Sequence, residues 1–193
     1  MLLKDLSAPP FGGPAARGER LAFWINTYND VVSEGLAALG IQETVCEVPD
    51  FFDRIRVRVA GLDFSANDIE HGVLRGNRPH PLSPMAPFTR DDPRLAHALP
   101  DLDPRIHFAI ICGARSCPPV RTYEGGCVHE QLGAATRTVL REDLTLDGVT
   151  LVASPAGSVP TSRSGPGGCR GSSPITSMTA RCGAPSSRAS LSA

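Results

Sequence analysis

Glu19–Leu39 reads ERLAFWINTYNDVVSEGLAAL. Leu21, Ile25, Tyr28, Val32, Leu36 and Leu39 recur every three or four residues, the spacing of one buried helix face. Gly40 follows, a residue that ends a helix without steric penalty. The stretch predicts a long amphipathic helix, and the rest of the chain has to cover its apolar stripe. Asn26, Asn29 and Ser33 form a second, polar line on the same helix. Asn is a mediocre helix former, because its side chain competes for backbone hydrogen bonds. Two of them beside Trp24 and Tyr28 admit two readings. Either they face solvent or bind the backbone of a neighbouring loop, or their amides orient a catalytic group.

Working outward, Arg54–Val59 (RIRVRV) alternates charged and apolar residues, as a half-exposed strand does, and Gly61-Leu62-Asp63 turns it toward Phe64. Ser65 reads as an N-cap with Asp68 as a capping-box partner. The helix that follows runs to about Leu74 and ends at Gly76. Ile69 and Val73 mark its buried face, with His71 pointing elsewhere among Asn67, Asp68 and Arg75. Residues 77–104 hold seven prolines and read as a long loop with one helical turn near Arg94–Leu99. Arg105–Cys112 (RIHFAIIC) is a short apolar run, best read as a buried central strand opening onto Gly113-Ala114-Arg115-Ser116-Cys117-Pro118-Pro119. Glu124–Glu142 has helical spacing, with Val128, Leu132, Ala135 and Val139 inward. Leu144–Leu146 and Val149–Val152 around Asp147-Gly148 predict a type I′ hairpin. The class is α+β, a small central sheet with helices packed on it.

The chain has 193 residues, and 19 basic against 20 acidic side chains leave a net charge of −1. That balance argues against a basic nucleic-acid footprint. No run approaches the length of a membrane-spanning helix, and Met1–Pro10 lacks the apolar stretch of a signal peptide, which makes the cytoplasm the default expectation. All 20 acids lie in residues 1–153, whereas residues 154–193 carry four Arg, eleven Ser and no acid. A segment so poor in apolar groups cannot offset its ordering entropy, so 154–193 is expected to be a disordered tail. Its residue usage is that of a GC-rich gene read out of frame. Back-translated and shifted by one base, it can yield a string with acids, apolar residues and helical spacing. The expected division is residues 1–18 as an N-terminal segment with a truncated start, 19–153 as one α+β domain, and 154–193 as a frameshifted C-terminus.

The loop after residue 112 is the place to look for chemistry, since strand-end loops commonly carry sites. Cys117 sits there in a turn of small residues beside Arg115 and before Pro118, a setting that suits a nucleophilic thiol as well as a small buried residue. His71 or His107 is the candidate base, and Asn26, Asn29 or Glu70 the group that orients it, the logic of a Cys–His–Asn triad. The expected activity is that of a cysteine-dependent hydrolase or acyltransferase on an amide or thioester, with a small molecule or peptide as partner and no cofactor. Two alternatives stand beside it. One is a non-catalytic interaction module in which these polar residues hold loops together. The other is a metal site built from Cys112, Cys117 and a His, although CxxC spacing is absent. Cys46, Cys127, Cys169 and Cys182 show no pairing pattern, and His80, His97 and His129 look incidental.

Three strings carry a resemblance: LAFWINTYN (Leu21–Asn29), FSANDIEHGVLR (Phe64–Arg75) and DPRIHFAIICGARSCPPVR (Asp103–Arg121). Together they resemble domain of unknown function 547, a family found widely in bacteria and in some plant and animal proteins. Its FWIN-x-YN motif falls on Phe23, Trp24, Ile25, Asn26, Tyr28 and Asn29, and its IEHG-x-LR motif on Ile69, Glu70, His71, Gly72, Leu74 and Arg75. Its HFAL-x-CGA-x-SCP motif falls on His107, Cys112, Gly113, Ser116, Cys117 and Pro118, with Ile110 where Leu is usual. The resemblance spans roughly residues 15–153 and implies no particular reaction. Family members usually have more chain before the first motif, and continue past the hairpin with a helical segment that the shifted frame resembles.

Overall fold

The computed structural model describes residues 1–7, 11, 16–79, 85–113, 117, 120–147 and 150–153. The expectations for the tail at 154–193 lie outside those residues, as do His80, Arg115, Ser116, Pro118, Cys169 and Cys182.

The long helix forms as expected: α1 spans Ala16–Ala38, and Gly40 beyond it takes a left-handed φ of 64°. Leu21, Trp24, Ile25, Tyr28, Val31 and Val32 are buried along it. Trp24 meets Phe64 at 5.0 Å between ring centroids, which ties the helix to the sheet. That sheet has three strands in the order β1-β2-β3, formed by Leu2–Leu6, Arg56–Val59 and Leu62–Ser65. A one-turn helix, α2 (Phe51–Arg54), leads into β2 and buries Phe51 and Phe52. Val57 and Val59 are fully buried while Arg56 and Arg58 face outward, the alternation read from the sequence. Cross-strand neighbours Arg58 and Asp63 pair at 2.7 Å. The turn between β2 and β3 falls on Ala60 and Gly61, both at positive φ, one residue earlier than expected. β1 lies parallel to β2, with an irregularity between Leu2 and Lys4. Five residues so far from their partner in sequence give no periodic signal of their own.

After β3 the expected capping box is present. The Ser65 N–H donates to Asp68 Oδ2 at 2.9 Å, and the Asp68 N–H donates to Ser65 Oγ at 3.0 Å. The helix it opens is a π-helix over Asp68–Leu74. Its wide turns show in two i→i+5 bonds, from Arg75 N–H to the Glu70 carbonyl and from Asn77 N–H to the Gly72 carbonyl, each at 2.9 Å. Such turns are rare and concentrate at functional sites. The expectation that His71 points away from the buried face is corrected here: every residue from Ile69 to Leu74 is buried. The following loop covers the outer side, with Phe88 against Gly72 and the Leu99 N–H bonded to the Val73 carbonyl at 2.9 Å.

The largest departure is at Arg105–Cys112, which is no strand. Pro104–Phe108 forms a 3₁₀ turn capped by Asp103, whose carboxylate accepts from the Arg105 N–H at 3.0 Å and pairs with the Arg105 guanidinium at 2.6 Å. An Asp-Pro start is a helix signal, and a short apolar run reads equally well as a buried strand or a buried turn. Asp92 and Pro93 repeat the device at Pro93–His97, near the helical turn expected there. Val128–Asp143 forms α3, burying Val128, Leu132 and Ala135. It packs on the 3₁₀ turn at Pro104–Phe108 and on α1. The final hairpin pairs β4 (Leu144–Asp147) with β5 (Thr150–Ala153), with Asp147 opposite Thr150 in register.

Candidate active site

Both asparagines of α1 turn out to hold backbone. Asn26 donates from Nδ2 to the Tyr123 carbonyl at 2.8 Å and accepts from the Tyr123 N–H at 2.9 Å. Asn29, buried, donates to the Ala109 carbonyl and accepts from the Ile111 N–H, both at 3.0 Å. An amide used this way imitates a neighbouring strand, and it supplies the hydrogen bonds that the run 109–111 does not find in a sheet. Orienting a catalytic imidazole is therefore not the role this geometry gives either amide. Each fastens a loop segment to the helix.

Fastening 109–111 to α1 brings three parts of the chain together. The Tyr28 hydroxyl donates to Glu70 Oε2 at 3.4 Å, with both groups buried (2% and 5% exposed). The other carboxylate oxygen, Oε1, lies 3.9 Å from Nδ1 of His107, whose side chain is 19% exposed. Just beyond Ile111, the Cys112 backbone N–H donates to Cys117 Sγ at 3.2 Å, and the two sulfurs are 2.9 Å apart. Both cysteines are half-buried. Placing the 105–112 run on a strand sets His107 and Cys112 on opposite sides. The 3₁₀ turn removes that alternation.

Burial dominates the electrostatics. Glu70 is pushed up to about 7, chiefly by desolvation, with Arg75 and the Tyr28 hydroxyl pulling the other way. Burial likewise holds the Tyr28 hydroxyl well above the ordinary tyrosine range, reinforced by Glu70, Cys112 and Cys117 as nearby acids. The buried phenol thus feels both the buried carboxyl and the two half-buried thiols. His71 belongs to the same helix as Glu70 but has a different neighbour: its Nδ1 lies 3.1 Å from the Arg75 guanidinium. Because an arginine only donates, that nitrogen is its acceptor.

Sequence reasoning passes over the parts played by Tyr28 and Cys112. Tyr28 reads there only as part of the apolar stripe, although a buried phenol usually needs a polar partner, and that is the available signal. Cys112 enters only as a metal ligand. Among the described residues no three His, Cys, Asp or Glu side chains are grouped to hold a metal ion. His97 rests edge-on against Trp24 and Phe64, each at 5.5 Å, and His129 lies 3.1 Å from the Arg105 guanidinium. Among the described residues no helix is long and apolar enough to cross a membrane.

All three resembling strings contribute to this cluster, and a family model described as "Protein of unknown function, DUF547" matches residues 14–140. The chain belongs to the DUF547 family. No curated protein and no solved structure matches it. The DUF547 match ends within α3, so it contains every group of the cluster, Tyr28, Glu70, His107, Cys112 and Cys117, and His71 as well.

Proposed function

We propose that this DUF547 domain is a cysteine-dependent hydrolase or acyltransferase acting on an amide or thioester. One observation carries the reading: the Glu70 carboxyl, buried and anchored by Tyr28, faces Nδ1 of His107 within the cluster that includes Cys117. Above about pH 7, where Glu70 is ionised, its carboxylate on Nδ1 favours the tautomer in which Nε2 accepts a proton, the arrangement of a thiol–imidazole–carboxylate relay. At 3.9 Å the pair is looser than a hydrogen bond, as catalytic contacts often are before substrate binds. His107 is the base of choice over His71, whose Nδ1 is committed to Arg75.

In this scheme His107 takes the Cys117 proton and the sulfur attacks the carbonyl carbon. A C–S bond forms, and the tetrahedral adduct collapses by breaking the bond to the amine or thiol leaving group. The imidazolium returns its proton to that group. Water or an acceptor nucleophile then displaces Cys117 from the acyl-thioester, releasing the acid or the transferred acyl product and restoring the thiol. The Cys112 N–H, already donating to Cys117 Sγ, supports negative charge on that sulfur.

The test is alkylation by iodoacetamide at neutral pH, followed by peptide mapping. Cys117 is expected to label first, and to label more slowly in His107→Asn. Equal labelling of wild type and Cys117→Ala would remove the nucleophile assignment. A second reading, a non-catalytic interaction module, draws on the two asparagine clamps, since they have polar residues of the family strings fastening loops. It expects His71→Ala and His107→Ala to lower the melting temperature strongly with no change in Cys117 reactivity.

A further inference from the structure

Cys112 and Cys117 are placed for more than one nucleophile requires. Their sulfurs are 2.9 Å apart, within an ångström of the bonded separation of about 2.05 Å. The Cys112 N–H adds a second donor to Cys117 Sγ. When the Cys112 thiol points its hydrogen at the same atom, Cys117 receives two hydrogen bonds and becomes the sulfur better able to carry charge. Cys112 is left as the thiol that can attack it. Both are half-buried, so a small oxidant can reach them while a large one is hindered.

We propose that Cys112 and Cys117 form a reversible redox pair, with Cys117 as the peroxide-sensitive thiol and Cys112 as its resolving partner. The first step is attack of the Cys117 sulfur on one oxygen of hydrogen peroxide. An S–O bond forms, the O–O bond breaks, and the departing hydroxide takes the thiol proton and leaves as water. The second is attack of Cys112 Sγ on the sulfenic sulfur. An S–S bond forms, the S–O bond breaks, and the second hydroxide leaves as water with the Cys112 proton. One peroxide gains two electrons, two thiols become one disulfide, and two waters are released. A dithiol reductant reverses the change by thiol–disulfide exchange. The geometry needs only the two sulfurs, but the consequence rests on the reading of Cys117 as nucleophile. While the disulfide stands, Cys117 cannot attack a carbonyl, so oxidation switches the enzyme off.

The test treats the full reduced chain with stoichiometric hydrogen peroxide, blocks remaining thiols, and maps peptides without reduction. Expected are a Cys112–Cys117 cross-linked peptide lighter by two hydrogens, loss of iodoacetamide label at both positions together, and recovery of both with dithiothreitol. Cys127 is the internal control: burial first, then Glu124 and Glu130, push its thiol up, and it should keep its label. In Cys112→Ser the sulfenic acid on Cys117 is expected to persist and to be trapped by a cyclic dione. Oxidation of Cys117 straight to sulfinic acid in wild type, pairing of either cysteine with Cys46 or Cys127, or no disulfide at all would overturn the pair. The two proposals fail separately. A disulfide without selective alkylation of reduced Cys117 keeps the redox pair and drops the hydrolase, and selective alkylation without a disulfide does the reverse.

Discussion

Replacing Glu70 by glutamine tests whether a buried acid sits at the centre of this site. The carboxyl is 5% exposed, and its proton is held to about pH 7 in the folded chain, against 4.5 for an ordinary glutamate. The sign follows from proton binding. Below about pH 4.5 the folded and unfolded forms are both protonated and Glu70 has no effect on the pH dependence. Between 4.5 and 7 the unfolded chain releases its proton while the folded chain retains it, so stability falls as pH rises, and above 7 the loss is complete. At about 1.4 kcal/mol per pH unit the whole fall amounts to about 3 kcal/mol. The groups around Glu70 are Tyr28, Arg75 and His107, and Tyr28 does not titrate in this window because its hydroxyl is pushed further up. A glutamine in its place would keep an oxygen to accept from Tyr28 and carry no charge. Urea denaturation of wild type and Glu70→Gln, in small pH steps across and just beyond that window, should give curves that diverge. The wild type is expected to lose about 3 kcal/mol relative to the variant. Parallel curves would refute the buried acid, because they require Glu70 to bind its proton equally in the folded and unfolded chain.

Two further perturbations probe the frame around the site. A Cβ on Gly72 would overlap Phe88 Cζ, and Phe88 cannot yield easily because Asn77 grips its backbone at 2.8 and 2.9 Å and Arg94 lies over its ring at 4.6 Å. Gly72→Ala should destabilise by roughly 1–3 kcal/mol in a urea melt, with part of the loss recovered when Phe88→Leu is added. Asn29→Ala leaves the Ala109 carbonyl and the Ile111 N–H without their partner. At about 1–3 kcal/mol per buried unpaired group, the urea midpoint should fall by the equivalent of roughly 2–5 kcal/mol.

What is legible in the chain is whatever its neighbours in sequence decide. α1 is readable because apolar spacing sustained over its whole length leaves one solution, and the Ser65–Asp68 capping box because its partners are local. The strand 56–59 is readable from its alternation, whereas 62–65 reads as a turn and a helix cap because its burial does not alternate. Three further things are not legible. β1 is a short strand whose partner begins only at Arg56, so its only evidence is the pairing itself. The π-helix uses the same residues as an α-helix would, and its wider turns are decided by what packs over Gly72 and Val73. The run 105–112 has the composition of a buried strand, and its Asp103-Pro104 start is outweighed by its apolar character. That error passes directly into the site, because alternation along a strand puts His107 and Cys112 on opposite sides, whereas a 3₁₀ turn followed by a segment pinned to Asn29 has no such alternation.

The pinning explains why the family strings mix core and polar residues. Consecutive positions on α1 point a little over a quarter-turn apart, so Tyr28 reaches the π-helix through Glu70 while Asn29 reaches the segment before Cys112. One rigid helix therefore anchors both a carboxyl on one segment and the segment that leads to a thiol on another, while Phe88 and Leu99 of the loop between residues 77 and 104 cover the outer side of the π-helix. A site hung on a buried helix in this way is held more tightly than one built on loops alone. Its stability then becomes inseparable from that of the core, since Tyr28 occupies the apolar stripe and donates to the buried carboxyl at once. Loss of the Tyr28 hydroxyl is accordingly the change that separates the two roles: Tyr28→Phe keeps the stripe filled and removes only the donor to Glu70. That donor favours the charged carboxyl, so without it the Glu70 proton should be held to higher pH still. The same urea series should show the fall in stability extending above the wild-type window, and an unchanged window would mean that the hydroxyl has no bearing on the acid.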